Sequence, residues 1–216
     1  MRVGLPQLLI VLSHELRGPA SVLQGYLRLL HRQKGPGGTD PAIIEAMQTA
    51  TGRITAIGQD ASALAHWLDT SAGPQAPVVV RTVADLLSSV ASRLAESTPI
   101  ESAPHPADAA VRTRDLNLLA RALAEVAQAV SRAHDGEVTL HARTHDDALV
   151  MTVAPVTASR SEAGGTVETS PLAFDSGGMG LGLILASYVL DDHDATVVTQ
   201  PTGGVEVRLP LARSAA

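Results

Sequence analysis

The chain has 216 residues, a length that allows one large domain or two small ones, each with its own hydrophobic core. Its net charge of −6 argues against nucleic acid as a partner, because a phosphate backbone calls for a basic surface. The sequence contains no cysteine, which excludes disulfide bonds and thiolate metal sites.

Membrane insertion is not expected either. No apolar run approaches the ~20 residues that a membrane-spanning helix needs. The apolar opening from Leu5 to Leu12 is followed at once by His14, Glu15 and Arg17, without a small-residue cleavage site, so we do not interpret it as a signal peptide. We therefore expect a cytoplasmic protein with no membrane partner.

The first third of the chain predicts two helices, because apolar residues recur at three- and four-residue spacings. They are Leu5, Leu9, Leu12, Leu16, Leu23, Leu27 and Leu30 in the first helix, and Ile43, Met47, Ala50, Ile54, Ile57, Ala61, Leu64 and Leu68 in the second. A loop over residues 34–40 separates them, with Asp40 as the N-cap and Pro41 at the first helical position. Such a short connection predicts an antiparallel hairpin.

Two helices alone cannot cover both apolar stripes. A second copy of the hairpin would cover them in a symmetric four-helix bundle, and we therefore expect a homodimer. The alternative is that both helices pack on the rest of their own chain.

Residues 71–77 have the composition of a linker. We therefore predict a helical domain over residues 1–72 and a second domain over residues 73–216. In the second domain helices and strands are mixed, which predicts a two-layer α/β sandwich, so that the fold class is α + α/β. The predicted helices are 83–95, 116–133 and 181–190; the predicted strands are 78–80, 137–142, 148–153, 196–199 and 205–209, with a turn at 145–147 and a Gly/Ser/Thr-rich stretch at 157–178.

His14 lies off the apolar stripe of the first helix. At about 100° per residue, its side chain points roughly 170° away from the mean direction of the leucines. We therefore expect it to stand in water on a rigid helix. From periodicity alone, an ordinary exposed histidine is the simpler interpretation.

The residues around His14 are more specific. The heptapeptide Ser13-His14-Glu15-Leu16-Arg17-Gly18-Pro19 closely resembles the phosphoacceptor box of bacterial sensor histidine kinases, usually written S-H-E-L-R-T-P, with six of seven positions in agreement. The resemblance implies that His14 carries phosphate. It also implies that a receiver domain docks over Ser13, Arg17, Gly18 and Val22.

The chemistry of the neighbours fits this role. Imidazole is a good nucleophile near neutral pH through one ring nitrogen when the other is hydrogen-bonded, and the Glu15 carboxylate would fix the tautomer and take up the released proton. Arg17 would hold phosphoryl oxygens, and a surface solubilising arginine is an equal interpretation. The family usually has Thr or Asn where this chain has Gly18, and that residue orients water to dephosphorylate the partner. Gly18 therefore weakens a phosphatase role.

From Val78 onward the chain is similar to the ATP-binding domain of the same kinases. The segment from Gly178 through Gly180 and Gly182 to Leu183 matches the family's G-x-G-L-G-L box. Alone, a glycine-rich turn before a helix is a weak signal, but in this order after the histidine box it supports the fold.

The other nucleotide boxes are degenerate. Residues 125–132 fall on the family's N-x-x-x-N-A-x-K helix, but Glu125 and Ala129 replace the asparagines, the second of which normally binds Mg²⁺. The D-x-G-x-G box, expected after Val153, is replaced by residues 154–159, which contain neither aspartate nor glycine. Each lost charged hydrogen bond is worth about 1.5–3 kcal/mol. We therefore expect this chain to bind no cofactor, with Glu125, Ala129, Gly178, Gly180 and Gly182 as remnants of a nucleotide site.

The remaining histidines show no metal-ligand spacing, and we expect no metal site. They are His31, His66, His105, His134, His141, His145 and His193.

The resemblance implies a histidine phosphotransferase in a two-component phosphorelay, which exchanges phosphate between His14 and the aspartate of a response-regulator receiver domain without ATP. The receiver would supply Mg²⁺, and an upstream hybrid histidine kinase is a further expected partner, since we expect no sensor segment ahead of His14. Two alternatives stay open. One is an active sensor-type histidine kinase in which Glu125 or another acid holds Mg²⁺, and the other is a non-catalytic scaffold that binds receivers.

Overall fold

The computed structural model describes residues 5–32, 40–72, 77–94, 98–134, 137–156, 180–200 and 203–212. The chain divides into two compact units, Arg2–Gly73 and Pro74–Ala216. Residues 34–39 of the predicted loop, 73–76 of the predicted linker and the Gly/Ser/Thr-rich stretch 157–178 lie outside the described residues.

The first unit is the predicted helical hairpin, formed by α1 (Leu5–Arg32) and α2 (Pro41–Ala72). α2 begins as predicted, because Asp40 Oδ1 accepts a hydrogen bond from the Ala42 backbone N–H at 3.0 Å and proline takes the first helical position. It continues to Ala72, whereas the sequence predicts a linker from Ser71, because the helix-breaking residues begin only at Gly73. Every described helix of the chain is too short or too polar to span a bilayer.

The apolar residues of α2 form two rows with different environments. One row repeats every seven residues and is buried: Ile43, Ala50, Ile57 and Leu64, at 8%, 5%, 6% and 4% exposure. The second row, Met47, Ile54 and Ala61, is only half-buried, and Leu68 at its end is 39% exposed. α1 therefore covers one of the two apolar rows of a heptad pattern and leaves the other partly open.

The described part of the second unit contains three helices and seven strands. These are β1 (Val79–Thr82), α3 (Val83–Ala91), β2 (Ile100–Ser102), β3 (Ala110–Thr113), α4 (Leu116–Ala133), β4 (Val138–His145), β5 (Ala148–Pro155), α5 (Leu181–Asp192), β6 (Thr196–Thr199) and β7 (Val205–Pro210). Five strands form one sheet in the order β2-β4-β5-β7-β6, while β1 and β3 form a separate antiparallel pair. Within the larger sheet β2 runs parallel to β4, and the other pairs are antiparallel.

The helices form a single layer against this sheet. α4 contacts β4 and β5, and both α3 and α5 pack against α4. Ala142, Met151 and Val207 lie in register across three strands, each 2% exposed, whereas His141 and Arg143 on the alternate positions of β4 are exposed. The predicted two-layer α/β sandwich is therefore confirmed.

The β4–β5 hairpin turns where the sequence predicts it. Asp146 and Asp147 have φ angles of +47° and +58°, the left-handed pair that a two-residue type I′ turn requires, and His145 pairs with Ala148 across the turn. Both strands are longer than predicted, since β4 continues past residue 142 to His145 and β5 continues past Val153 to Pro155, which pairs with Val138.

The prediction of α3 was wrong at its C-terminus, because the helix ends at Ala91 rather than at Ala95. The Ser92 backbone N–H still bonds four residues back, but the N–H groups of Arg93 and Leu94 bond three residues back, to Val90 and Ala91, so the chain tightens into a turn and the α-helix ends. The strands β2 and β3 were not predicted. They are three and four residues long, too short for an alternating pattern to stand out.

The C-terminus of α5 is joined to β3 through the buried hydroxyl of Thr113, which is 1% exposed. His193 Nδ1 lies 2.7 Å from the carbonyl oxygen of Val189 and therefore donates, so in the neutral ring Nε2 accepts from Thr113 Oγ1 at 3.0 Å. The same hydroxyl oxygen accepts the backbone N–H of Asp115 at 3.2 Å. The Thr113 hydroxyl thus bonds both the His193 ring and the Asp115 backbone amide.

We expect Thr113→Val to lower the free energy of unfolding by about 1–3 kcal/mol, because it keeps the side-chain volume but leaves the His193 ring and an amide without their partner. Chemical denaturation measures the change. Thr139→Val, on the half-buried outer position of β4, is the matched control and should change stability by less than about 0.5 kcal/mol. Equal effects of the two substitutions would contradict this account of the α5–β3 junction.

Candidate functional site

His14 lies in the first half of α1 and is exposed. The residues of α1 that pack on α2 are apolar, with Leu8 and Val11 8% and 5% exposed and Pro19 buried, and their mean direction is about 110° around the helix from His14. α1 runs through Pro19 as one helix. The rotation of α1 on α2 therefore turns the imidazole away from its own hairpin.

The other residues predicted around the histidine differ in their exposure to solvent. Ser13, Arg17, Gly18 and Val22 are exposed, and the last of these is 42% exposed. Glu15 is half-buried, one position after the histidine and about 100° further around the helix. The side proposed to meet a partner is therefore open, and the role of Glu15 as a proton acceptor stays a prediction.

The face of α1 that carries His14 has very small side chains. Gly18, Ser21 and Gly25 are exposed and lie with the histidine within about 60° around the helix. A Cβ atom built on Gly18 or Gly25 would meet no atom within 4 Å outside its chain neighbours and the nearby backbone of α1. One turn before the histidine, Ile10 is 66% exposed and about 40° around the helix, so the room for a large partner lies on the C-terminal side of the imidazole.

A second exposed surface of α1 is apolar. Leu9 and Leu27 are 57% and 55% exposed, and 18 residues make five full turns, so they point in the same direction. That direction is about 140° from His14. α1 therefore presents three separate faces: one packed on α2, one apolar and open, and one that carries the histidine.

In the second unit, the structure brings together two segments that the sequence shows far apart. Glu125 on α4 is ion-paired with Arg132, whose Nη2 donates to Oε1 at 2.9 Å, and its carboxylate lies against Gly182 in the first turn of α5. Ala129 is completely buried and has no side-chain oxygen to offer a metal. Sequence reasoning missed this contact between α4 and α5; the only signal was the replacement of an asparagine by an acid.

The other positions that the sequence predicts as remnants of a nucleotide site have almost no polar side chains. Gly180 is buried and precedes α5 as its N-cap, whereas Gly178 lies outside the described residues. β5 ends at Pro155, so Ala154 and Pro155 lie inside the strand and residue 156 follows it. The predicted end of that strand at Val153 was therefore two residues short, and in this region the described segment bears neither acid nor glycine.

Metal ligands and cavities do not point to another centre in the described residues. They contain no group of three or more His, Asp or Glu side chains able to hold a metal ion. A shallow cavity of about 400 Å³ lies on the outer sheet face, where His141 Nδ1 is 3.0 Å from Glu101 Oε2. None of the predicted site residues lines it.

Comparison with solved structures identifies the fold. The Acinetobacter baumannii histidine kinase AdeS matches with a TM-score of 0.61 at 15% identity, over 93% of this chain and 98% of that one. Histidine kinase ThkA, in complex with the response regulator protein TrrA, matches with a TM-score of 0.62 at 12% identity, over 95% of this chain and 61% of that one. Full-length ShkA in complex with AMPPNP matches with a TM-score of 0.55 at 22% identity, over 98% of this chain and 47% of that one.

The chain has the fold of a histidine kinase catalytic region. The predicted order of a helical hairpin followed by an ATPase-type α/β domain is therefore confirmed. Identities below 25% establish the fold alone, and the chain spans only about half the length of ShkA. No family model and no curated protein matches the sequence.

Proposed function

We propose that the chain is a histidine phosphotransferase of a two-component phosphorelay, which exchanges a phosphoryl group between His14 and the aspartate of response-regulator receiver domains without using ATP. One observation carries the proposal: in a hairpin with the histidine kinase fold, the histidine of the Ser13-to-Arg17 run stands exposed, and the small residues Gly18, Ser21 and Gly25 follow it on the same face. A rigid helix that presents a free imidazole is what in-line transfer needs from this partner.

The proposed transfer forms one bond and breaks another. The lone pair of one His14 ring nitrogen attacks the phosphorus of the aspartyl phosphate, the N–P bond forms, and the aspartate oxygen leaves with the electrons of the O–P bond. The proton on the ring passes to Glu15 or to water. Arg17, one turn along the exposed side of α1, is close enough in sequence to hold a phosphoryl oxygen. The reverse reaction uses the same groups.

Independence from ATP is supported by the second unit. Ala129 is fully buried and its side chain offers no ligand atom, and Glu125 is already ion-paired to Arg132, which argues against a Mg²⁺ site built on that carboxylate. The end of β5 has no acid to read an adenine amino group. These features favour a relay over a kinase with an unorthodox nucleotide site.

The proposed partners are receiver domains, which would provide the Mg²⁺, and an upstream hybrid histidine kinase, all in the cytoplasm. Support comes from ThkA, whose structure contains the response regulator protein TrrA, because that kinase shares the fold over 95% of this chain. The site that the proposal gives to the receiver is Ser13, Arg17, Gly18 and Val22.

We also propose that the hairpin forms a homodimer. The half-covered row of α2 and the exposed Leu9 and Leu27 of α1 leave apolar surface that a second hairpin would bury in a four-helix bundle. Because the apolar face of α1 is about 140° from the histidine, dimerisation would leave His14 accessible.

A receiver labelled from ³²P-acetyl phosphate should transfer its label to the wild-type chain in the absence of nucleotide. His14→Ala should reduce the label on the chain to background, because the accepting nitrogen is gone. His31→Ala is the matched control, since it removes an exposed histidine from the same helix, and it should accept label like the wild type. The assay is run against each receiver of the source organism. Absence of label on the wild type, or equal label on His14→Ala, would refute the proposal.

Gly18→Thr should increase the release of inorganic phosphate from the phosphorylated receiver, because the resemblance assigns to this position the side chain that orients water. The substitution fits without a clash, since no atom lies within 4 Å of a Cβ there. Gly25→Thr, seven residues along the same open face, controls for added bulk and should not increase release. Phosphate release at the wild-type rate in Gly18→Thr would contradict the assigned role of the position.

Leu27→Lys should convert the dimer to a monomer, because it places a charge in the apolar face that the second hairpin would bury. Sedimentation equilibrium measures the mass. Gln24→Lys adds the same charge at an exposed position nearer to the histidine face and should leave the dimer intact. A wild-type chain that sediments as a monomer would overturn the proposed dimer.

A further inference from the structure

The carboxylate of Glu125 lies directly against the first turn of α5. A Cβ atom placed on Gly182 would be 2.8 Å from Glu125 Cδ and 3.0 Å from each of its two carboxylate oxygens. Such distances are shorter than van der Waals contact, so the carboxylate takes the space that a side chain at position 182 would need. Gly182 is the second residue of α5, which begins at Leu181.

This turn of α5 is electrostatically suited to an anion. The first N–H groups of a helix point out of its N-terminus and carry the positive end of the helix dipole. α5 has no acidic residue in its own first turn, and its N-cap, Gly180, has no side chain. Glu125 therefore brings a negative charge to this turn from the neighbouring helix.

Arg132 holds this charge in place. It lies seven residues after Glu125, about two turns along α4, and its Nη2 donates to Oε1 at 2.9 Å. The side chain of Glu125 is only 20% exposed, whereas that of Arg132 is 47% exposed. The carboxylate is thus shielded beside α5, and the arginine closes over it from the solvent side.

We propose that Glu125 is a built-in anion that occupies the first turn of α5 and excludes phosphate groups from it. The contact of Glu125 with Gly182 and Arg132 is then autoinhibitory: the domain keeps a glycine-lined helix start and a nearby arginine, but its own carboxylate fills the place of a polyphosphate. The inference deepens the proposed function and rests on it in one respect: it gives a physical reason why a domain of this fold would not bind ATP.

Titration of the full-length chain with inorganic tripolyphosphate, followed by calorimetry, tests the proposal. The wild type should show no saturable heat. Glu125→Ala should bind at least about tenfold more tightly, because the first turn of α5 is vacated and Arg132 loses its counter-charge. Glu125→Gln keeps the shape, removes the charge, and should also bind more tightly than the wild type.

Two controls accompany the titration. Glu137→Ala makes the same residue change at an exposed position of the same domain and should bind no more tripolyphosphate than the wild type. Arg132→Ala keeps the Glu125 carboxylate in the chain, removes the arginine that would hold a phosphate group, and should also fail to bind. Equal binding by the wild type and Glu125→Ala overturns the proposal, as does the absence of binding in both Glu125 variants.

A double-mutant cycle tests the contact without any ligand. In the wild-type background, Gly182→Ala should lower Tm by about 2–4 °C, because the carboxylate must move and lose its bond to Arg132. In the Glu125→Ala background the same change should raise Tm, because alanine is the better helix former. Equal shifts in the two backgrounds overturn the contact.

Failure of the inference and failure of the proposed function give different results. If His14 accepts phosphate from a receiver while Glu125→Ala binds no more tripolyphosphate than the wild type, the relay stands and the autoinhibitory contact is wrong. If tripolyphosphate binds only after Glu125 is replaced but no receiver labels His14, the contact stands and the relay is wrong.

Discussion

The packing of α1 on α2 fixes the rotation of α1 about its axis, and the properties of the first unit depend on that angle. Leu8 and Val11 are buried against the hairpin, so the residues well away from their direction around α1 face outward. His14, about 110° from the mean direction of Leu8, Val11 and Pro19, is exposed, and the small residues Gly18 and Gly25 share its face. A rotation of one residue, about 100°, would bury the imidazole or cover it with leucines.

The same angle leaves apolar surface uncovered. A heptad pattern needs two partner surfaces, and a single hairpin supplies one, so the row of Met47, Ile54 and Ala61 stays half-buried while the row that begins at Ile43 is covered. Assembly and catalysis would then use different faces of one helix. In the second unit, the α4–α5 contact that packs the core also sets Glu125 against Gly182, so the packing of the fold determines what lies beside the first turn of α5.

Periodicity and capping residues predicted most of the fold. The helices of the hairpin follow from leucine spacing, and Asp40 and Pro41 fix where α2 begins. Short strands such as β2 were not predicted, because three or four residues are too few to show an alternating apolar pattern. The early end of α3 coincides with a change to three-residue backbone bonds at Arg93 and Leu94, which composition does not reveal.

The candidate site was predictable to a different extent in each unit. The exposure of His14 follows from helix geometry alone, so the sequence sufficed. The contact of Glu125 with Gly182 joins residues on separate helices, and its existence depends on how α4 and α5 pack, which local pattern does not specify. The resemblance predicts that Glu125 stands where the family has asparagine, and only the tertiary structure shows where the Glu125 carboxylate lies.

Reversible phosphate exchange is the central claim, and ³¹P NMR of the full chain mixed with its phosphorylated receiver tests it most directly. Without nucleotide, the account predicts that a phosphoramidate resonance from His14 grows as the acyl phosphate resonance falls, and that fresh unphosphorylated receiver draws the phosphate back. A mixture in which acyl phosphate decays only to inorganic phosphate, with no phosphoramidate at any time, would contradict it.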